Sequence, residues 1–158
     1  WRAAAEFQAP PWPPRRLLAC AKHLCGGATD IALRSLRACR DAGGGGVRPA
    51  VCIATCCHHR CDLATYVNAP FLREVGLLAR EEDFDRLASM AGWAVGGRGD
   101  AQERRRHGMM VKRILDLGRA AWLRSELGLA GAVLLAYIGK DVTPENIAIV
   151  AGGAGEPP

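Results

Sequence analysis

Arg16-Leu17-Leu18-Ala19-Cys20-Ala21-Lys22-His23-Leu24-Cys25-Gly26-Gly27 decides the fold, together with Ala50-Val51-Cys52-Ile53-Ala54-Thr55-Cys56-Cys57-His58-His59-Arg60-Cys61-Asp62 further on. Each stretch contains a short apolar run, Arg16–Ala21 in the first and Ala50–Thr55 in the second, as a buried strand does. Each run ends in a polar cluster that reads as a turn. Between them, Ala28 to about Arg40 has helical spacing, with Leu33, Leu36 and Arg40 three and four residues apart. Thr29 or Asp30 is placed to cap that helix. Strand, helix, strand with short connections is the unit of a parallel sheet. The expected class is therefore α/β, with both polar clusters at the carboxyl ends of neighbouring strands, where open sheets bind ligands. Two motifs far apart in sequence are thereby expected to share one site.

Outward from this core, two short helices are expected near Phe71–Leu78 and Glu82–Ala91. A long helix follows over Glu103–Leu127, with Met110, Ile114, Leu117 and Ala121 as its apolar stripe. Gly108 and Gly118 weaken that helix by roughly 1 kcal/mol each. Leu129–Ile138 and Asn146–Val150 read as strands, and Gly139, Asp141 and Pro144 suit a hairpin between them. Residues 1–14 and 153–158 read as tails, and residues 15–152 as one folded unit. Trp122 and Trp93 are expected in the core, and His107 on the surface.

The chain has 158 residues, room for one domain with a real core. Its hydrophobic content of 49% and charged content of 23% exclude wholesale disorder. No segment approaches the roughly 18 continuous apolar residues of a membrane-spanning helix, so no membrane partner is expected. The cysteines number seven, an odd count, and most lie inside apolar runs. That pattern fits free thiols in a reducing compartment, cytoplasmic or nuclear. A net charge of +5 suits a polyanionic partner. The first residue is Trp and not Met, as in a fragment or a processed chain.

Lys22 and His23 can set an ammonium and an imidazole against a substrate, and Gly26 permits close backbone approach. The bland alternative is an exposed helix-entry turn. Cys56-Cys57-His58-His59-Arg60-Cys61 admits three readings. One is zinc, through Cys57 and Cys61 with His23 and Cys25 from the neighbouring turn. The usual two ligand pairs of fixed spacing are absent, however, so no metal site is expected. The second is buried thiols beside solvated histidines. The third is a catalytic turn, with histidine as base and Arg60 on a phosphate. Arg104-Arg105-Arg106, with Lys112 and Arg113, is either a phosphate-contacting face or a solvated helix surface.

These blocks resemble a known family. Lys22-His23-Leu24-Cys25-Gly26 with Ala28-Thr29-Asp30 and Ala32-Leu33-Arg34, then Cys56-Cys57-His58-His59-Arg60-Cys61-Asp62 with Tyr66-Val67, look like hallmark segments of the eukaryotic tRNA 2′-O-methyltransferases that modify the fourth nucleotide of the acceptor stem. Trp93-Ala94 with Gly96 resembles a further family segment, with Gly92 and Val95 replacing two of its residues and its cysteine missing. Glu103-Arg104, Gly108, Lys112–Asp116, Gly118-Arg119, Tyr137 and Pro144-Glu145-Asn146 also follow the family, so the resemblance covers about residues 17 to 151.

The resemblance implies a class I, Rossmann-like methyltransferase whose seven-stranded sheet closes with an antiparallel hairpin. The four strands read here correspond to its last four. The first three strands, the glycine-rich donor loop, the acidic ribose-binding residue and the family's zinc fingers have no counterpart in the chain. The chain thus reads as a C-terminal part, with donor binding weakened or lost when it is alone. S-adenosylmethionine is the implied methyl donor and tRNA the implied partner. Lys22, His23, His58 and His59 are the implied catalytic candidates, Leu24, Cys25, Gly26 and Cys57 the donor contacts, and Arg60, Arg104, Arg105, Lys112 and Arg113 the RNA contacts. The competing expectations are a non-catalytic RNA-binding module and a small zinc scaffold.

Overall fold

The computed structural model describes residues 16–44, 46–95 and 101–152; the tails expected at 1–14 and 153–158 lie outside them. Four strands, β1 (Arg16–Cys25), β2 (Arg48–Cys56), β3 (Val133–Ala136) and β4 (Ile147–Ala151), form one sheet in the order β1-β2-β4-β3. β1 and β2 are parallel, joined by α1 (Ala28–Ala42), while β4 runs antiparallel to both β2 and β3. The strand–helix–strand unit and the terminal hairpin are thus present, in a mixed α/β sheet.

One sheet face carries Val51, Ile53, Ile149 and Ala151, which pack with Leu33 and Leu36 of α1 and with Leu123 and Leu127 of α4 (Ala101–Leu127). A second core lies beyond the sheet. There Tyr66, Leu72, Phe84 and Leu87 from the segment holding α2 (Ala69–Glu74) and α3 (Glu82–Gly92) pack on Val111 and Leu115 of α4. The long helix is therefore the common wall of both cores, and its position fixes everything packed on it.

Several local expectations differ. Lys22 to Cys25 is not a turn: β1 continues through it, slipping register against β2 between Lys22 and Leu24. The slip falls at His23, whose φ of 67° lies in the left-handed region, so one residue bulges and the strand resumes. Neither Thr29 nor Asp30 caps α1. The cap position is Gly27, with no side-chain cap; the Thr29 hydroxyl donates to the Leu24 carbonyl at 2.8 Å. The expected strand over 129–138 shortens to Val133–Ala136, and the helix expected over 71–78 becomes Ala69–Glu74.

The apolar stripe of α4 is also displaced. Met110 and Leu117 are 52% and 44% exposed, while Val111, Leu115, Ala120 and Leu123 are buried. Lys112, Asp116 and Arg119 share the buried side. A hydrophobicity count sends charges to solvent, so it rotates the helix the wrong way when the charges are paired inside. Gly108 and Gly118 show a related effect. A Cβ on Gly118 would run into the Tyr66 hydroxyl, and one on Gly108 into the backbone at Ala94 and Met90. At both glycines another segment approaches α4 too closely for a side chain.

Candidate functional site

The ends of β1 and β2 meet as the spacing predicts. Cys25 registers against Cys56 across the parallel pair, and their sulfurs stand 3.7 Å apart. Gly26 (φ 59°) lies against the Arg60 backbone so closely that a Cβ there would overlap its carbonyl. The two turns are thus stacked together. Beside them opens a cavity of ≈ 360 Å³ lined by Lys22, His23, Ala54, Thr55, Cys56 and Cys57, with Tyr137, Thr143 and Glu145 contributed by the β3–β4 hairpin. That size suits a small-molecule site.

Beneath the cavity floor runs a buried charged chain that sequence reasoning missed. Asp116 of α4 accepts hydrogen bonds from the Thr55 hydroxyl at 2.8 Å, from His58 Nε2 at 2.8 Å and from Arg119 Nη1 at 3.0 Å. Arg119 then pairs with Asp30 of α1 through Nε at 3.1 Å and Nη2 at 2.5 Å, and Nη2 also reaches Cys61 Sγ at 3.2 Å. Asp30 accepts in addition from the Val67 backbone N–H at 3.2 Å. Two carboxylates and one guanidinium are satisfied mutually in this buried site, with the imidazole joined through Nε2 only. Burial alone would push the Asp116 carboxyl up. The charge and hydrogen bond of His58, then Arg119 and Thr55, outweigh it and hold Asp116 down at about 2. The Asp30 and Asp116 carboxylates likewise raise Arg119 against its burial. The signal available in sequence was the Asp116–Arg119 spacing of three, one helical turn; nothing local marks Asp30 as the partner.

The structure separates the candidate residues into groups. Lys22 and His23 line the cavity. His58 is buried at 2% exposure, its Nε2 bound to Asp116 and its Nδ1 without a partner; it props the turn from below and does not open into the cavity. His59 is exposed and stands against Gly92 of α3. Of the donor contacts, Cys57 lines the cavity and Cys25 adjoins it through Cys56. Leu24 instead packs on the sheet core and Gly26 is sealed against Arg60.

Lys112 and Arg113, read as phosphate contacts, hold the hairpin instead. Lys112 pairs with Glu145 while buried, and Arg113 Nη2 lies 3.4 Å from Asn146 Oδ1. Arg60, Arg104 and Arg105 remain exposed. Arg104 stacks 4.6 Å over the half-exposed Trp93 ring, so Trp93 is less interior than expected, whereas Trp122 is buried and His107 exposed. Cys61, a ligand in the zinc reading, is turned away into the Arg119 pair, so that ligand set does not form.

Seven thiols are free. Burial, then the hydrogen bond with Cys25, pushes Cys56 up to about 12. The Cys25 hydrogen bond, then burial, raises Cys57, and burial raises Cys61 against the Arg119 charge.

The chain is thus an α/β domain whose mixed sheet has a cavity at the carboxyl ends of its parallel strands, walled by the returning hairpin. The chain belongs to the methyltransferase TRM13 family, whose profile matches residues 7–107 and 99–152. It is 34% identical over 158 residues to the tRNA:m(4)X modification enzyme TRM13 of Vanderwaltozyma polyspora, covering 86% of this chain and 36% of that protein. It is 30% identical to the protein of the same name from Saccharomyces cerevisiae, over 82% of this chain and 35% of that one. The Schizosaccharomyces pombe relative is 31% identical, over 94% and 42%. The chain therefore spans a little over a third of the length of these relatives. No solved structure matches it.

Proposed function

We propose that the chain is the C-terminal, substrate-side part of an S-adenosylmethionine-dependent tRNA methyltransferase acting on a ribose 2′-hydroxyl of the acceptor stem. The observation that carries this reading is the convergence of Lys22, His23 and Cys57 on one cavity at the strand ends, in a chain of the TRM13 family. The sheet order, with an antiparallel β4 beside β2, supports placing these strands in the closing half of a class I sheet.

The cavity suits the methyl end of the donor. It is large enough for a small ligand and pairs the apolar Ala54 with polar side chains. Cys57 and Thr55 would hold that end, with Cys25 behind them. When bound, S-adenosylmethionine supplies an already activated methyl group. The protein's part is therefore orientation and management of one proton. His23, bulged out of β1 by its positive φ, would accept the proton of an incoming hydroxyl. Lys22 would stabilise the developing alkoxide as a cation. His58 acts through position: its bond to Asp116 fixes the turn that carries Cys57. Arg60, Arg104 and Arg105 would hold acceptor-stem phosphates.

The test is methyl transfer to tRNA by the full-length protein carrying His23→Ala or Lys22→Ala. Each is expected to lose on the order of 100-fold or more in kcat, the usual scale for a positioned acid–base group. Activity within a few-fold of the parent for both would remove the assignment.

A further inference from the structure

We propose that Cys25, Cys56 and Cys57 form a binding site for one thiophilic d10 metal ion, zinc(II) or copper(I), at the wall of the strand-end cavity. The three sulfurs lie within 4.8 Å of one another. Two thiolates on one tetrahedral zinc, each at about 2.3 Å, stand about 3.8 Å apart; the Cys25 and Cys56 sulfurs stand 3.7 Å apart. Thiolate ligands select zinc and copper(I) over the harder divalent ions.

The backbone carries a second, independent observation. Among the described residues only two that are not glycine have positive φ, His23 at 67° and Cys57 at 48°. His23 is the bulge that shifts the register of β1 before Leu24 and Cys25 pair with Thr55 and Cys56. Cys57 leaves β2 in the left-handed region, so its side chain departs from strand alternation and joins that of Cys56. Consecutive strand residues point to opposite faces, and only such a turn brings neighbouring sulfurs together. Backbone held in this region costs about 1–3 kcal/mol and is concentrated where a site requires it.

Cys56 and Cys57 both line the cavity. Three protein ligands leave a fourth position open, as in zinc sites that take an exogenous ligand. Each thiol releases its proton to solvent as its sulfur–metal bond forms, and no oxidation is involved. The ligand set differs from the one read off the Cys57–Cys61 spacing, because Cys61 is committed to Arg119. The proposal shares Cys57 and Cys25 with the donor contacts proposed above but is tested apart from methyl transfer, since uptake is read without donor or tRNA.

The experiment uses the full-length protein, reduced with a phosphine, stripped with chelator, then dialysed against zinc sulfate and gel-filtered. Metal per chain is measured by mass spectrometry. The parent is expected to hold one zinc more than the Cys25→Ser/Cys56→Ser/Cys57→Ser variant and the same amount as a Cys20→Ser/Cys52→Ser control. Cobalt(II) should give a thiolate charge-transfer band stronger in the parent than in the triple variant, by the absorbance of one further thiolate site. Copper(I) presented from a bicinchoninate competitor decides which ion binds more tightly. Should the triple variant lose its native circular dichroism, Cys57→Ser alone is compared, with zinc affinity expected to fall at least tenfold. Equal zinc in parent and variant with equal cobalt bands overturns the proposal, as does a parent that yields a Cys25–Cys56 disulfide and no zinc beyond that of the triple variant under these reducing conditions.

Discussion

At the scale of single residues, Arg119 and Asp116 dominate. Both are fully enclosed; Arg119 is paired with Asp116 and Asp30, and Asp116 also accepts from His58 and Thr55. Removing one partner leaves a buried charge without compensation, which costs about 3–5 kcal/mol. Arg119→Ala is therefore expected to lower unfolding free energy by that amount in urea titrations; a loss under 1 kcal/mol would show that water reaches the site. The pH dependence follows from Asp116, whose folded value near 2 lies below its ordinary 3.8. Its contribution is fully present above pH 4 or so and is lost as pH falls through about 2, about 2 kcal/mol in all. Urea midpoints across that window should fall more steeply for the parent than for Asp116→Asn. These two residues fell inside segments that carried the family resemblance, yet nothing in their local sequence states that they are interior. A charged residue is read as solvated until its partners are known, and Asp30 lies 89 positions from Arg119.

At the scale of elements, the α4 helix separates propensity from packing. Alanine stabilises a helix interior over glycine by roughly 1 kcal/mol. Yet a Cβ on Gly108 would sit 2.8 Å from the Met90 carbonyl oxygen, and one on Gly118 would overlap the Tyr66 hydroxyl. That hydroxyl donates to the Leu115 carbonyl at 2.9 Å and cannot move without breaking a buried bond. Gly118→Ala is accordingly expected to destabilise by about 1–3 kcal/mol in thermal melts, an overpacking cost that exceeds the helical gain. A neutral or stabilised variant would mean that α4 and Tyr66 are less tightly apposed. The same helix explains why the hairpin is placed correctly over the cavity: Lys112 pairs with Glu145, and Arg113 bonds Asn146. Sequence periodicity located both elements but not the contacts between them.

At the scale of the molecule, the sheet is covered on one face by α1 and α4, while Leu18, Val133 and Leu135 on its other side are 61%, 50% and 52% exposed. Among the described residues β1 pairs only with β2 and β3 only with β4, leaving one open edge beside Leu18 and the other beside Val133 and Leu135, a known route to association. The 158-residue chain by itself is expected to self-associate with rising concentration in light scattering, and Leu18→Lys to reduce this. The net charge of +5 includes the exposed Arg60, Arg104 and Arg105. If these hold three phosphates, log affinity for tRNA should fall against log salt with a slope of about −3, and Arg105→Ala should reduce the slope by about 1.

Local periodicity and turn chemistry by themselves determined the element order, the parallel unit, the closing hairpin and the meeting of the turns around Cys25 and His58. Those features follow from alternation, helical spacing and breakers within a few residues. Tertiary structure alone decided which face of α4 is buried, which histidine lines the cavity, and which cysteines gather. These outcomes depend on a bulge at His23, a left-handed Cys57 and a charge network joining three distant segments. Such compensations between remote groups leave no periodic trace in the chain, because each residue's favourable state exists only once the others are in place.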